Sequence, residues 1–265
     1  MNIIVPIKQV PETSNVKMDP ETGTMIRDGV ESIINPLDLY AIEVGIQLKE
    51  EHGGKVTVIT MGPPAASKAL KEAIAMGCDD GILITDRKFA GADTWSTAYV
   101  LAEAIKEIGD YDLVLAGERA TDGDTGQVGP NIAAYLDLTL GTYISKVEEV
   151  DSDKIVVERL LEEGYEKLEL PLPSLLTVVK EISYPRLPTL RGKQRAKKTD
   201  LPSLTVADMN VDETKLGLKG SPTRVVKIET PKVTRGGTIV TAKDDDELEA
   251  AVDKLIEFLK SKEIV

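Results

Sequence analysis

Cysteine and histidine are nearly missing from this chain: one of each in 265 residues. A lone thiol, Cys78, excludes an internal disulfide framework and any metal site built from several cysteines. It lies in Gly77-Cys-Asp-Asp-Gly81, a turn ahead of a strand, where a small half-buried residue is expected. His52, in Glu51-His52-Gly53, follows the end of a helix, where the dipole favours a cationic side chain. Neither a histidine-based metal site nor a Ser-His-Asp triad is supported. Basic charge is also short: the net charge is −13, whereas nucleic-acid binding needs a basic face, so nucleic acid is excluded as a general partner. Aromatics make up 4% of the residues, so the 42% hydrophobic content must build its core from Val, Ile, Leu and Ala. No apolar run approaches ~18 residues, and no basic leader with a cleavage site opens the chain. The expectation is a cytoplasmic protein, or one of an organelle matrix after removal of a presequence, with no membrane span. Neither a G-x-G-x-x-G fingerprint nor a Walker A loop is present, which argues against an ordinary nicotinamide dehydrogenase domain.

What is present is alternation. Asn2 to Ile7, Lys55 to Met61, Gly81 to Thr85 and residues 112–117 are short apolar runs that read as buried strands. Between them lie helical patterns. Asn35-Pro36 offers an N-cap and a first-turn proline ahead of Leu37, Ala41, Val44 and Leu48 on one face. Ala66, Leu70, Ala73 and Ile74 line a second helix, and Ala98, Leu101, Ile105 and Ile108 a third. A βα repeat of this kind predicts an α/β, doubly wound, Rossmann-like parallel sheet covered on both faces. Loops 6–11, 35–38, 61–64 and 117–128 then reach one edge and form one crevice.

The richest stretch runs from Tyr111 to Pro130. An apolar strand ends at Gly117, and Gly123, Gly126 and Gly129 precede a helix carrying Val128, Ile132 and Tyr135 or Leu136. A helix start exposes unpaired N–H groups with partial positive charge, and glycines let a phosphate approach them. The connection is about a dozen residues long where ~2–6 is usual, which separates it from a plain βα turn. Asp122 and Asp124 repel a pyrophosphate, so they are expected to cap backbone donors or to bond a ribose or flavin group.

Beyond residue 140 the pattern changes. Residues 154–159, 165–170 and 174–179 read as short strands joined by Glu162-Glu-Gly164 and Pro171-Leu-Pro173, a hairpin extending the sheet. Residues 12–32 read as a surface hairpin or long loop. Residues 185–192 lack periodicity and lead into the basic cluster Lys193-Gln-Arg-Ala-Lys-Lys198, read as a solvated or an interacting loop. Residues 212–240 resemble an extended arm. Asp244-Asp-Asp246 caps a last helix with the stripe Leu248, Ala251, Leu255 and Leu259. The expected division is residues 1–205 as a nucleotide- or flavin-binding α/β domain, and 206–265 as an arm and a helix packing on a partner subunit.

At this point the residues resemble a known family. Val157-Glu-Arg-Leu-Leu-Glu-Glu-Gly-Tyr-Glu-Lys-Leu168, followed by Pro173-Ser-Leu-Leu-Thr177, is similar to the signature of the electron-transfer flavoprotein beta subunit. Ile4-Val-Pro-Ile-Lys8, Asn35-Pro36, Met61-Gly-Pro63 and the loop 117–130 match in the same order, so the resemblance covers the whole chain. It implies nucleotide binding at Pro6, Lys8, Asn35, Pro36, Leu37, Asp38, Met61 and Gly62. It implies the same for Gly117, Glu118, Arg119, Ala120, Thr121, Asp122, Gly123, Asp124, Thr125, Gly126, Gln127 and Val128. Glu118-Arg119 departs from the family's usual Gly-Arg-Gln or Gly-Lys-Gln, which bears on the rim of the loop.

The loop Asp122 to Pro130 resembles the electron-bifurcating group, which holds a second FAD here, and Ala90, Gly91, Ala92, Asp93 and Thr94 resemble that group's NAD(H) loop. Leu190 corresponds to the leucine that contacts a partner dehydrogenase. The resemblance therefore implies a subunit of an NAD-dependent flavin oxidoreductase complex, paired with an alpha subunit. It would split NADH electrons, or combine them in reverse, between ferredoxin and an acyl-CoA- or lactate-type dehydrogenase. The flavin supplies the chemistry, so no catalytic side chain and no metal are expected. The alternatives are a non-bifurcating member with AMP as structural nucleotide and, more distantly, an ATP- or AMP-binding signalling module.

Overall fold

In the computed structural model, which describes residues 1–12, 32–226, 237 and 239–264, strands and helices alternate as the apolar periodicity requires. In chain order they are β1 (Asn2–Pro6), β2 (Gln9–Pro11), β3 (Ser32–Ile34), α1 (Asp38–His52), β4 (Lys55–Met61) and α2 (Ser67–Met76). Next come β5 (Asp80–Ile84), α3 (Thr94–Ile108), β6 (Leu113–Gly117), α4 (Val128–Leu136), β7 (Thr139–Val150) and β8 (Lys154–Leu161). The chain continues with β9 (Gly164–Pro171), β10 (Ser174–Val178), α5 (Leu190–Lys198), β11 (Ser203–Leu204), α6 (Gly217–Gly220) and α7 (Asp245–Ser261). The segments divide into two units, Met1–Val226 and Lys227–Val265.

The first unit holds a nine-stranded sheet in the order β11-β5-β4-β1-β6-β10-β7-β8-β9. Pairing is parallel from β11 through to β7 and antiparallel from β7 to β9. Strand alternation distributes side chains to two cores. Ile3, Val5, Leu113, Leu115, Leu176 and Val178 pack with Ile42 and Ile46 of α1 and Leu70 of α2. Ile4, Val114 and Leu175 pack with Leu101 and Ile105 of α3 and Ile132 of α4. Each such side chain, fully buried, contributes about 1.5–3 kcal/mol. The doubly wound reading therefore holds.

Several expectations change. Residues 139–150 form the long strand β7, which the sequence reading passed over. β8 and β9 are the expected hairpin, but β10 leaves it and inserts between β6 and β7. The basic cluster lies on helix α5, not on a loop. Thr189 caps it by accepting from Gly192 N at 2.9 Å, and Arg195 donates to the carbonyls of Ile74 and Cys78 at the end of α2. Cys78 is fully buried, not half-buried. The first unit extends past residue 205, because Met209 and Leu216 are buried in the second core. Only part of 212–240 can therefore be an arm. The surface hairpin or loop read over 12–32 lies, from 13 to 31, outside the described residues; β3 pairs with β2 antiparallel.

The second unit carries α7 as expected, with Asp244 accepting from Glu247 N at 2.9 Å. Among the described residues no helix is long and apolar enough to cross a membrane. No cluster of three or more His, Cys, Asp or Glu among them is placed to hold a metal ion.

Candidate nucleotide crevice

The winding of the sheet reverses at β1. The chain leaves β1 for β4 and β5 on one side, then returns through α3 to β6 on the other. Loops leaving β1 and β6 therefore part in opposite directions and open a crevice at the carboxyl ends of these strands. Pro6 ends β1 as a buried residue, and Gly117 ends β6.

Two buried polar residues hold the crevice together. Asp38 Oδ2 accepts from the backbone N–H of Lys8 at 2.7 Å, and its Oδ1 accepts from Asn35 Nδ2 at 2.9 Å. Asn35 Nδ2 also donates to the Arg119 carbonyl at 2.9 Å, while Asn35 Oδ1 accepts from Thr121 N at 3.1 Å. Asn35 is thus not the N-cap of α1. Leu37 occupies that place without a side-chain cap bond, while the Asn35 amide is engaged by Asp38 and by the loop after β6. Burial pushes the Asp38 carboxyl up to about 7, against the opposing pull of the Lys8 N–H, the Asn35 amide and the Lys8 charge. The 61–64 connection joins the same edge: Gly62 N donates to Ile84 O at 3.0 Å, and Gln9 Nε2 reaches Ala65 O at 3.4 Å. Pro36 is exposed, whereas Leu37, Met61 and Gly62 are half-buried.

The loop from Glu118 to Gln127 is polar and largely exposed, with Thr121 through Thr125 facing solvent. Its aspartates make ion pairs within the site. Asp122 pairs with Lys8 at 2.7 Å, and Asp124 pairs with Arg119 at 2.7 Å, Arg119 also standing 3.3 Å from Glu118. Each aspartate has a cation beside it, which reduces the repulsion that a phosphate nearby would meet. The chain passes through left-handed backbone at Asp124 (φ 52°) and Gly126 (φ 63°). A Cβ added at Gly123 meets nothing within 4 Å, so this position faces open space.

α4 then begins with no side-chain cap. Gln127 at its start has its Oε1 bonded by Thr94 Oγ1 at 2.9 Å instead. With Pro130 lacking an N–H, the backbone donors of Val128 and Gly129 and the positive end of the helix dipole remain for an anion. The residues present thus fit a nucleotide phosphate: an uncapped helix start, ion-paired aspartates and a rim open at Gly123.

Loop 90–94 is joined to this site through the Thr94–Gln127 bond. Ala90 and Gly91 are exposed, and Ala92, Asp93 and Thr94 half-buried. Asp93 caps α3, accepting from Trp95 N and Ser96 N at 3.0 Å each. Leu190 is not brought to the crevice. It opens α5, where Thr189 N contacts Ala75 O at the far end of α2, and it is 82% exposed. A separate hollow of about 410 Å³ lies at the C-terminal end of α1, lined by Val44, Leu48, His52, Lys146, Glu148 and Ile182. Glu51 and Glu149 line it too, which with Glu148 makes a poor surface for a phosphate. The sequence reading missed the partners of Asp93 in segment 211–223, which no local periodicity marks.

Comparison with known proteins agrees with this fold. Residues 22–209 match the electron transfer flavoprotein domain. The chain is 51% identical to the electron transfer flavoprotein subunit beta of Thermoanaerobacterium thermosaccharolyticum, over 100% of both chains. It is 43% identical to the subunit beta of Megasphaera elsdenii, again over 100% of both. It is likewise 43% identical, over 100% of both, to CarD of the caffeyl-CoA reductase–Etf complex of Acetobacterium woodii. With the sheet, the crevice and full-length identity in agreement, the chain belongs to the electron-transfer flavoprotein family, among its beta subunits.

Proposed function

We propose that this chain binds FAD in the crevice between β1 and β6 and NAD(H) against loop 90–94. Together with its alpha subunit it splits the electrons of NADH, or combines them in reverse, between a low-potential acceptor such as ferredoxin and a partner dehydrogenase. The observation that carries this reading is the Thr94–Gln127 bond. It sets loop 90–94, the proposed nicotinamide surface, one side chain away from the uncapped start of α4.

The residues have separable tasks. Val128 and Gly129 N–H would hold the diphosphate, with Lys8 and Arg119 balancing the acidic loop. Asn35 and Asp38 keep that loop in register with β1. Gly91 and its neighbours give the nicotinamide a surface with little side chain in the way. When bound, a flavin would supply the redox chemistry, hydride acceptance and single-electron transfer. No side chain of this chain has to act as general acid or base. Leu190, exposed at the start of α5, is the proposed contact to the dehydrogenase. The relative named for a caffeyl-CoA reductase–Etf complex fits a partner of that class.

The test is to purify the heterodimer, record its visible spectrum and identify the nucleotides released on denaturation. Two flavins per heterodimer, with anaerobic bleaching by NADH, are expected. One flavin together with AMP would overturn the bifurcating reading in favour of the adenylate-filled carrier.

A further inference from the structure

Residues 211–223 are laid across the first half of α3 and the loop before it, and are bonded to both. Asp212 N donates to Tyr99 Oη at 2.7 Å, Ser96 Oγ donates to Lys215 O at 2.7 Å, and Leu218 N donates to Ala90 O at 3.1 Å. At Gly91, in left-handed backbone with φ 75°, an added Cβ would stand 3.1 Å from Leu218 Cβ. At the end of this strap Asp93 N donates to Ser221 Oγ at 2.8 Å. Asp93 Oδ2 accepts from Thr223 N at 2.9 Å and from Thr223 Oγ1 at 2.8 Å.

A helix cap needs one carboxylate oxygen, and Oδ1 fills that role by accepting from Trp95 N and Ser96 N. The second oxygen would ordinarily face water. Here it takes two donors from a residue 130 positions further along the chain. Burial works against ionisation of Asp93, yet these bonds together hold its carboxyl below the usual aspartate range.

We propose that Asp93 is a positioning residue that fastens loop 90–94 to the strap, so that the root of the C-terminal segment sets how that loop meets the nicotinamide. This rests on the reading of the loop given above. Both oxygens of the carboxylate are engaged within the chain, so Asp93 acts through the loop and not by touching the ligand. Its neighbour Thr94 bonds Gln127 at 2.9 Å. A displacement at Thr223 thus passes through two adjacent residues to the start of α4. The strap is also the last part of the first unit, which ends at Val226.

The experiment compares Thr223→Val, Thr223→Ser and Asp93→Asn in the full heterodimer. Thr223→Val removes the hydroxyl donor. Asp93→Asn keeps an oxygen for the cap but presents a donor to the Thr223 N–H. Both should accelerate amide exchange across residues 88–97 and raise the KM for NADH about fivefold, the size of one lost hydrogen bond, with kcat within about twofold of the parent. Thr223→Ser should restore both. The proposal is overturned if exchange over 211–223 rises while 88–97 stays protected, if KM is unchanged despite faster exchange, or if Thr223→Ser behaves like Thr223→Val. A heterodimer that does not oxidise NADH would refute the nicotinamide assignment, and with it this positioning role. The exchange comparison would then report separately whether the strap holds the loop.

Discussion

Asp38 closes so tightly against Gly117 that position 117 admits no side chain. A Cβ there would meet the Asp38 carboxylate and stand 2.9 Å from the Leu37 carbonyl oxygen. Gly117→Ala must push the entry of α1 away from β6, and overpacking of this kind costs about 1–3 kcal/mol. Urea unfolding should show that loss, and the purified complex should release less nucleotide from this subunit. Gly123→Ala is the control. Position 123 faces open space, so a change within about 0.5 kcal/mol is expected.

The same aspartate gives the fold a pH dependence. In the unfolded chain it ionises near ~3.9, whereas in the fold its carboxyl is raised to about 7. Between those values the folded state binds the extra proton. The stabilisation is therefore full below the unfolded value and is lost as pH rises through the folded one. Each unit of difference is worth about 1.4 kcal/mol. Wild-type stability should fall from pH 5.5 to pH 7.5, and Asp38→Asn should flatten that slope. Urea unfolding of both proteins at the two pH values decides it.

Much of the scaffold was legible because strands buried on both faces leave continuous apolar runs. β1, β4, β5 and β6 announced themselves in that way, and so did the glycine-rich connection before α4. What stayed hidden depends on contacts between distant residues. Asn35 reads locally as a helix cap, yet it serves the loop after β6, 84 residues on. β7 escaped notice because its outer half is polar on one face. α5 is mostly charged, and it forms because Arg195 caps the carbonyl end of α2. Asp122 and Asp124 carry no mark of Lys8 and Arg119 as partners, since ion pairs of this kind have no spacing rule.

Glu43 is another residue that only the tertiary structure explains. It is buried within α1 and held by Arg186, whose Nε stands 3.0 Å from Glu43 Oε2, while the same guanidinium bonds Glu50 at 2.7 Å. Removing one partner of a buried pair strands the other charge. Because Arg186 is about a third exposed and Glu43 keeps the Arg186 N–H and Gln47 as donors, Arg186→Ala should destabilise the protein by about 1–3 kcal/mol, and Arg186→Lys should recover only part of it, because a lysine cannot span two carboxylates with a planar fork. Adding Glu43→Gln to Arg186→Ala should return some stability. A double-mutant cycle by chemical denaturation measures each term.

α7 provides the sharpest test of how this subunit joins its partner. Its 17 residues carry Leu248, Val252, Leu255, Ile256 and Phe258, and none of the helix is buried. An isolated helix of this length is marginal in water, and its stability has to come from packing an apolar face. Each of these side chains contributes about 1.5–3 kcal/mol when fully buried, so several together suffice to hold a subunit interface. Leu255→Asp combined with Phe258→Asp should abolish co-purification with the alpha subunit, while the unfolding midpoint of the Met1–Val226 unit stays where it was. Glu257→Gln, which leaves the apolar face intact, should keep the heterodimer. Retention of the partner by the double aspartate variant would show that α7 is not the element that holds it.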